Sequence, residues 1–316
     1  MRQPPNAAIE ADLVTGVNVR EAIASFARHL RARNLSRKTI ETYCEASRQL
    51  ADFLEAKGMP TDIGAIRREH VQTWITDLLD RFKPATARNR FLGVQQLFRF
   101  LVDEDELRAS PLTKVQPPQV PEDPPPILKD EELKALLATC RGTDFESRRD
   151  TAIMRVFLDT GARLSEVADL GFGENAENPV DLVQGIAMVL GKGRRPRLLH
   201  LGAQTIRSID RYLRVRSHHP KAHLPYLWVG HSGRLSDSGM AQMIRRRGEQ
   251  AGIKGLHPHL FRHLFAHDWL QSGGGESDLL RLAGWKSRSM LERYGASAAT
   301  ERAIAAHARL ARGDRL

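Results

Sequence analysis

Two cysteines in 316 residues, Cys44 and Cys140, are too few and too far apart for a disulfide framework, and no Cys-x-x-Cys spacing suggests a structural zinc site. A reducing compartment fits. Long apolar runs are also lacking, since none approaches the roughly 18 residues that a membrane helix needs. No basic n-region followed by an apolar core opens the chain, so a secretory leader is not expected. These absences predict a soluble cytoplasmic protein without membrane attachment. Internal repeats and low-complexity segments are missing too, apart from one proline tract. Acidic residues are in short supply: 38 Asp and Glu face 48 Lys and Arg, leaving a net charge of +10. Of the basic residues 38 are arginine, so the surface favours phosphate and offers many bidentate forks. Nucleic acid is the first partner this composition suggests.

The length exceeds one ordinary core, at about 150 residues per domain. A seam is visible between Pro117 and Pro126, where six prolines in ten residues cannot supply helix or central-strand hydrogen bonds. The expected division is a helical domain over 18–113, a proline-rich linker over 114–126 and a second domain over 127–316. In the first, Asn18 to Glu21 has the form of a capping box, and Val19, Ile23, Phe26 and Leu30 recur at helical spacing. Ser36 opens a second helix, with Ile40, Tyr43, Ser47, Leu50 and Leu54 on one side and Gly58 as its stop. A third helix is expected over about Arg68 to Asp80. A fourth, after Pro84, carries Phe91, Val94, Phe98 and Leu101. The polar faces of this bundle hold Arg31, Arg33, Arg37, Lys38, Arg88 and Arg90, which reads as a DNA-facing surface. Residues 1–120 carry net charge +3 and the remainder +7.

The second domain reads as mainly helical with one strand signal. Ile186 to Leu190, then Gly191-Lys192-Gly193, then Arg197 to Leu201 predicts two strands around a glycine-containing turn that presents Lys192. Helices are expected over about Gln204 to Arg216, Ser236 to Ala251 and Pro258 to Gln271, with two short ones near Leu280 and Met290. Four islands stand in this order: Thr160-Gly-Ala-Arg163-Leu-Ser-Glu166, Gly191 to Arg197, His259-Leu-Phe-Arg262-His263, and Ala283-Gly-Trp285 leading to Tyr294. They contain the groups that breaking a phosphodiester with a side-chain hydroxyl requires: a nucleophile, cations for two non-bridging oxygens, a proton acceptor and a donor for the leaving oxygen. Thr160-Gly161 signals a helix end, which places Arg163 at the start of the next helix. His259 and Arg262 are three apart after Pro258, so one face presents both near a helix N-terminus that already favours phosphate. Free tyrosine has a pKa of about 10, so two cations and an imidazole would help Tyr294 attack near neutrality. Lys192 suits the role of general acid toward a 5′ oxygen, and the Trp285 indole N–H can donate to a non-bridging oxygen.

The four islands resemble the tyrosine recombinase (phage integrase) family. Thr39 to Tyr43 and Ala87 to Phe98 are similar to that family's N-terminal core-binding helices. The resemblance implies a mainly α fold with a small β-sheet: a helical, SAM-like core-binding domain followed by an α+β tyrosine recombinase catalytic domain. It assigns the active site to Arg163, Lys192, His259, Arg262, Trp285 and the nucleophile Tyr294. It further implies a 3′-phosphotyrosine intermediate, a Holliday junction, double-stranded DNA with inverted half-sites as partner, and a homo-tetramer in the synaptic complex. Trp285 departs from the commoner His at its position, and both types occur in the family. His263 reads as support. The short stretch ahead of residue 18 suggests a simple two-domain enzyme of the Xer or Cre type.

Three alternatives stand beside this reading. The same chemistry would serve a type IB topoisomerase, and the fold without catalysis would serve a DNA-binding protein. His257, His259, His263 and His267 could be taken for metal ligands, since His263 and His267 are four apart on a helix. A metal site leaves Arg163, Lys192 and Tyr294 unexplained, so neither metal nor cofactor is expected. After Tyr294, the stretch Thr300 to Leu310 is rich in helix formers with Ile304, Ala308 and Ala311 on one small apolar stripe. That helix either folds back on its own domain or docks on a neighbouring subunit.

Overall fold

The computed structural model describes residues 16–121, 126–173, 176–191, 196–285, 287–291, 303, 304, 307 and 308. The chain divides into two compact units, residues 1–122 and 123–316.

The first unit is four α-helices: α1 (Val19–Ala32), α2 (Arg37–Ala56), α3 (Arg68–Arg81) and α4 (Pro84–Asp103), with a 3-10 turn at Ile63–Ala65. Each start follows from a local signal. The Asn18 side chain accepts from Arg20 N at 2.8 Å, so it caps α1 through that amide, one residue before the expected Glu21 pairing. Ser36 Oγ accepts from Thr39 N at 3.2 Å. Pro84, whose missing N–H costs nothing in a first turn, opens α4. Beyond α2, Gly58 takes φ +62. The buried stripes meet around Phe26, Leu50, Leu54, Trp74, Phe91 and Phe98. A Cβ added at Gly93 would lie 2.9 Å from Ala46 Cβ, so the bare glycine lets α4 cross close to α2. Of the six basic residues expected on the polar faces, Arg90 departs. Its guanidinium stacks on Phe82 at 3.7 Å and is half-buried, which makes it part of the packing.

The second unit holds α5 (Asp130–Ala138), α6 (Phe145–Thr160), α7 (Leu164–Ala168), α8 (Ala203–Arg216), α9 (Asp237–Gln250), α10 (Pro258–Gln271) and α11 (Glu276–Ala283). Strands β1 (Val180–Asp181), β2 (Ile186–Leu190) and β3 (Pro196–His200) form an antiparallel sheet, and β4 (Val229–Gly230) pairs with β5 (Gly233–Arg234). The β2–β3 pair is the expected one, with Leu190 opposite Pro196 and Ile186 opposite His200. β1, β4 and β5 have no counterpart among the expected elements. Helix α6 runs through the middle, packing on α8 and α10, with Phe157 stacked on Phe261 at 5.7 Å. Two arginines that look like surface charge in the sequence are structural. Arg247 donates to buried Asp150 at 2.8 and 2.9 Å, and Arg216 donates to the carbonyls of Ala222, Leu224, Tyr226 and Leu227. Among the described residues no helix is long and apolar enough to cross a membrane.

Candidate active site

Arg163 is placed by the end of one helix and the start of the next. Thr160 Oγ1 donates to Val156 O at 2.6 Å and accepts from Ala162 N at 3.2 Å, folding the turn over. Gly161 then adopts φ +53, and a Cβ there would lie 2.7 Å from the Phe265 ring. Only glycine meets both conditions. Arg163 becomes the N-cap of α7, and its amide donates to Glu166 Oε2 at 2.7 Å. The side chain, about one-third exposed, turns back to donate from Nη1 to Glu166 Oε1 at 2.9 Å and from Nη2 to Gly284 O at 3.4 Å.

Arg262, in the second turn of α10, is 1 % exposed. A buried cation needs partners. It donates from Nη1 to Gly161 O at 2.7 Å and from Nη2 to Ala283 O, the carbonyls at the ends of α6 and α11. Helix C-termini carry partial negative charge, so both are suitable acceptors for a guanidinium. The Arg262 carbon also lies 5.2 Å from the centre of the Trp285 ring.

Trp285 follows the αL residue Gly284, and its amide returns to Leu280 O at 2.9 Å in a Schellman-type ending of α11. The indole is 7 % exposed and packs with Ala266, Leu270, Leu279, Ala283 and Leu291. The end of α11 is where the site is assembled. Three successive carbonyls, of Leu282, Ala283 and Gly284, accept from Arg197, Arg262 and Arg163 respectively. One helix terminus thereby fixes three arginines from β3, α10 and α7.

Arg197 and Glu166 have no role assigned from the sequence, although both lie inside the four islands. Arg197 Nη2 donates to Glu166 Oε2 at 2.7 Å and Nε to Oε1 at 3.4 Å, so Glu166 is shared between two guanidiniums. The carboxylate is 3 % exposed. Burial by itself raises its pKa; the hydrogen bond and charge of Arg197, then the amide and charge of Arg163, outweigh burial and hold it below the ordinary carboxylate value. Position three after a helix start is a detectable signal for Glu166. Arg197 has no such local signal, because its partner stands 31 residues earlier.

His259 lies one turn before Arg262 on α10, with an exposed ring at 5.5 Å from that of buried His263 in an edge-on arrangement. Arg163, Arg262 and Trp285 thus meet at the end of α11, and His259 stands on the helix that supplies Arg262. Lys192, in the connection between β2 and β3, and Tyr294 lie outside the described residues. Among the described residues no three His, Cys, Asp or Glu side chains are grouped to hold a metal ion.

Residues 126–301 match the model of the phage integrase family, and residues 23–106 match that of the phage integrase N-terminal SAM-like domain. The chain is 27 % identical over 303 residues to a tyrosine recombinase XerC from Chlorobaculum tepidum, covering 86 % of this chain and 89 % of the relative. It is 29 % identical over 275 residues to a tyrosine recombinase XerD from Bifidobacterium longum, covering 83 % and 87 %. Among solved structures, a lambda integrase dimer bound to a core site shares the fold with TM-score 0.69 at 16 % identity, over 89 % of this chain and 78 % of that one. A lambda integrase tetramer bound to a Holliday junction gives TM-score 0.67 at 14 % identity, over 86 % and 78 %.

Proposed function

The chain belongs to the phage integrase family, the tyrosine recombinases, and is a site-specific DNA recombinase; from that premise we propose that it cuts and rejoins DNA through Tyr294. The Tyr294 oxygen attacks the scissile phosphorus, the bond to the 5′ oxygen breaks, and a 3′-phosphotyrosine forms. His259 takes the phenolic proton, and Lys192 supplies one to the leaving 5′ oxygen. Arg163 and Arg262 grip the non-bridging oxygens through charge-assisted bonds that strengthen as the pentacovalent transition state gains charge. Trp285 packs beside them and offers its indole N–H. A 5′ hydroxyl from the partner duplex then attacks the phosphotyrosine, releasing the tyrosine and leaving a Holliday junction after one exchange. The phosphoryl bond is conserved throughout, so no nucleotide or metal is consumed. Double-stranded DNA with inverted half-sites is the substrate, a homo-tetramer the working assembly, and the cytoplasm the compartment.

The observation that carries this reading is the end of α11, where Arg163 comes together with Arg262 and Trp285, which lie about a hundred residues further along the chain. Such convergence of two cations beside a residue nine positions before Tyr294 suits phosphate gripping. The test is Tyr294→Phe, which removes only the attacking oxygen. DNA binding should persist, while the denaturant-resistant protein–DNA adduct formed on a nicked suicide substrate disappears. An adduct at wild-type yield removes Tyr294 from the role. A wild-type protein that relaxes supercoiled plasmid alone and never yields junctions would instead act as a type IB topoisomerase.

A further inference from the structure

Away from the end of α11, a furrow of about 560 Å³ opens between α5, the α5–α6 loop, α6 and α8. Five cations line it: Lys134 from α5, Arg141 from the loop, Arg148 and Arg155 from α6, and Arg211 from α8. Among the described residues no carboxylate does. We propose that this furrow is a binding site for a phosphate-bearing anion with two or more phosphate groups, distinct from the recombination site.

Several arginines elsewhere in the molecule are matched with acids: Arg20 with Asp52 and Glu55, Arg37 with Glu41, Arg149 and Arg247 with Asp150. Among the described residues, none of the five furrow cations forms such a pair. Two acids close in sequence are engaged otherwise. Asp144, which follows Thr143 of the furrow, caps α6 by accepting from Ser147 N at 2.9 Å, and Asp210 pairs with Arg214. Like charges gathered in a concave site repel one another and focus a positive potential that an anion relieves.

Two of the guanidiniums are also partly enclosed. Arg148 Nη1 donates to Arg211 O at 3.2 Å, which fixes it between α6 and α8. Arg155, on the same face of α6 two turns further on, is half-buried, and its Nε is buried without donating to any protein group. A charge-assisted bond to an anion oxygen is among the strongest contacts a guanidinium makes. The Thr143 hydroxyl adds a neutral donor on the exposed rim. Planar forks from α6 and α8, with ammonium and guanidinium groups at the mouth, match successive phosphates better than a single small anion.

Two sources present that chemistry: the backbone of DNA running past the bound core, and a free polyphosphate such as a nucleoside triphosphate. Calorimetric titration of the full chain with sodium tripolyphosphate, at fixed ionic strength, tests the site. One binding event is expected for the wild type, with affinity at least about tenfold weaker in Arg155→Gln/Arg211→Gln. If that variant fails the melting control, Lys134→Gln/Arg141→Gln, both at exposed positions, carries the same expectation. Equal affinity in a folded variant and the wild type overturns the proposal. The salt dependence of core-DNA binding then separates the sources. With DNA as the source, the slope of log K against log salt becomes shallower in the variant by about 0.9 for every phosphate that is no longer neutralised. An unchanged slope with weakened tripolyphosphate binding assigns the furrow to a free polyphosphate. Neither arm involves Tyr294, Arg163 or Arg262, so the outcome is independent of the recombination mechanism.

Discussion

Glu166 is the residue that joins two cations of the site, Arg163 and Arg197. Its amide-capping bond sets where α7 begins, and its two oxygens divide between Arg163 and Arg197. With a folded pKa below the ordinary 4.5, Glu166 contributes stability that is fully present above that value and lost as pH falls through the lower folded one. Arg197→Gln removes the larger opposing influence, so the loss should move to higher pH. Arg163, deprived of a fixed carboxylate, should then grip phosphate less well. We expect DNA affinity within about twofold of wild type and single-turnover cleavage slower by on the order of tenfold to a hundredfold. Arg197→Lys should not restore the rate, because an ammonium lacks the planar fork by which the guanidinium spans the Glu166 carboxylate and Leu282 O. A pH–rate profile of either variant that superimposes on the wild type would limit Arg197 to plain packing.

At the scale of elements, the end of α6 decides whether the arginines can meet. Gly161 combines φ +53 with a neighbouring ring only 2.7 Å from any added Cβ, and its carbonyl receives Arg262. Gly161→Ala should cost about 2–4 kcal/mol, from the left-handed backbone penalty and overpacking against Phe265. A melting curve checks it; a shift of less than about 1 °C would contradict this account. That glycine is legible in the sequence as a helix stop, as are Ser36, Pro84 and Pro258 as helix starts, because each acts through its own backbone. The β2–β3 hairpin is legible from two short apolar runs on either side of a glycine-containing turn. Strands β1, β4 and β5 are not, since two residues hold no period. The pairing of Arg197 with Glu166 and of Arg247 with Asp150 is hidden as well. Their partners lie 31 and 97 positions away, and a salt bridge leaves no trace in local spacing. Arg163, Arg262 and Trp285 stand out through ordered motifs, but the helix terminus that gathers them is visible only in three dimensions.

For the whole molecule, the proposed tetramer requires copies of a chain of net charge +10 to cooperate on DNA. Most of the stretch expected to form a tail helix lies outside the described residues. Positions 303, 304, 307 and 308 are helical and exposed, and Ile304 is 65 % exposed. Ile304 and Ala308, both exposed on their own chain, favour the second of the two expected docking modes, on a neighbouring subunit. A stripe of one isoleucine and alanines buries little area, which gives a contact weak enough to exchange between alternating active and inactive pairs. Truncation after Ala299 should therefore leave the melting curve and single half-site affinity unchanged while weakening cooperative occupancy of paired half-sites and slowing recombination. Gel-shift titration on one and two half-sites, run beside a junction-formation assay, separates the outcomes. Wild-type cooperativity in the truncated chain would show that the tail does not couple subunits. A lowered melting temperature with lost single-site binding would place the helix back on its own domain.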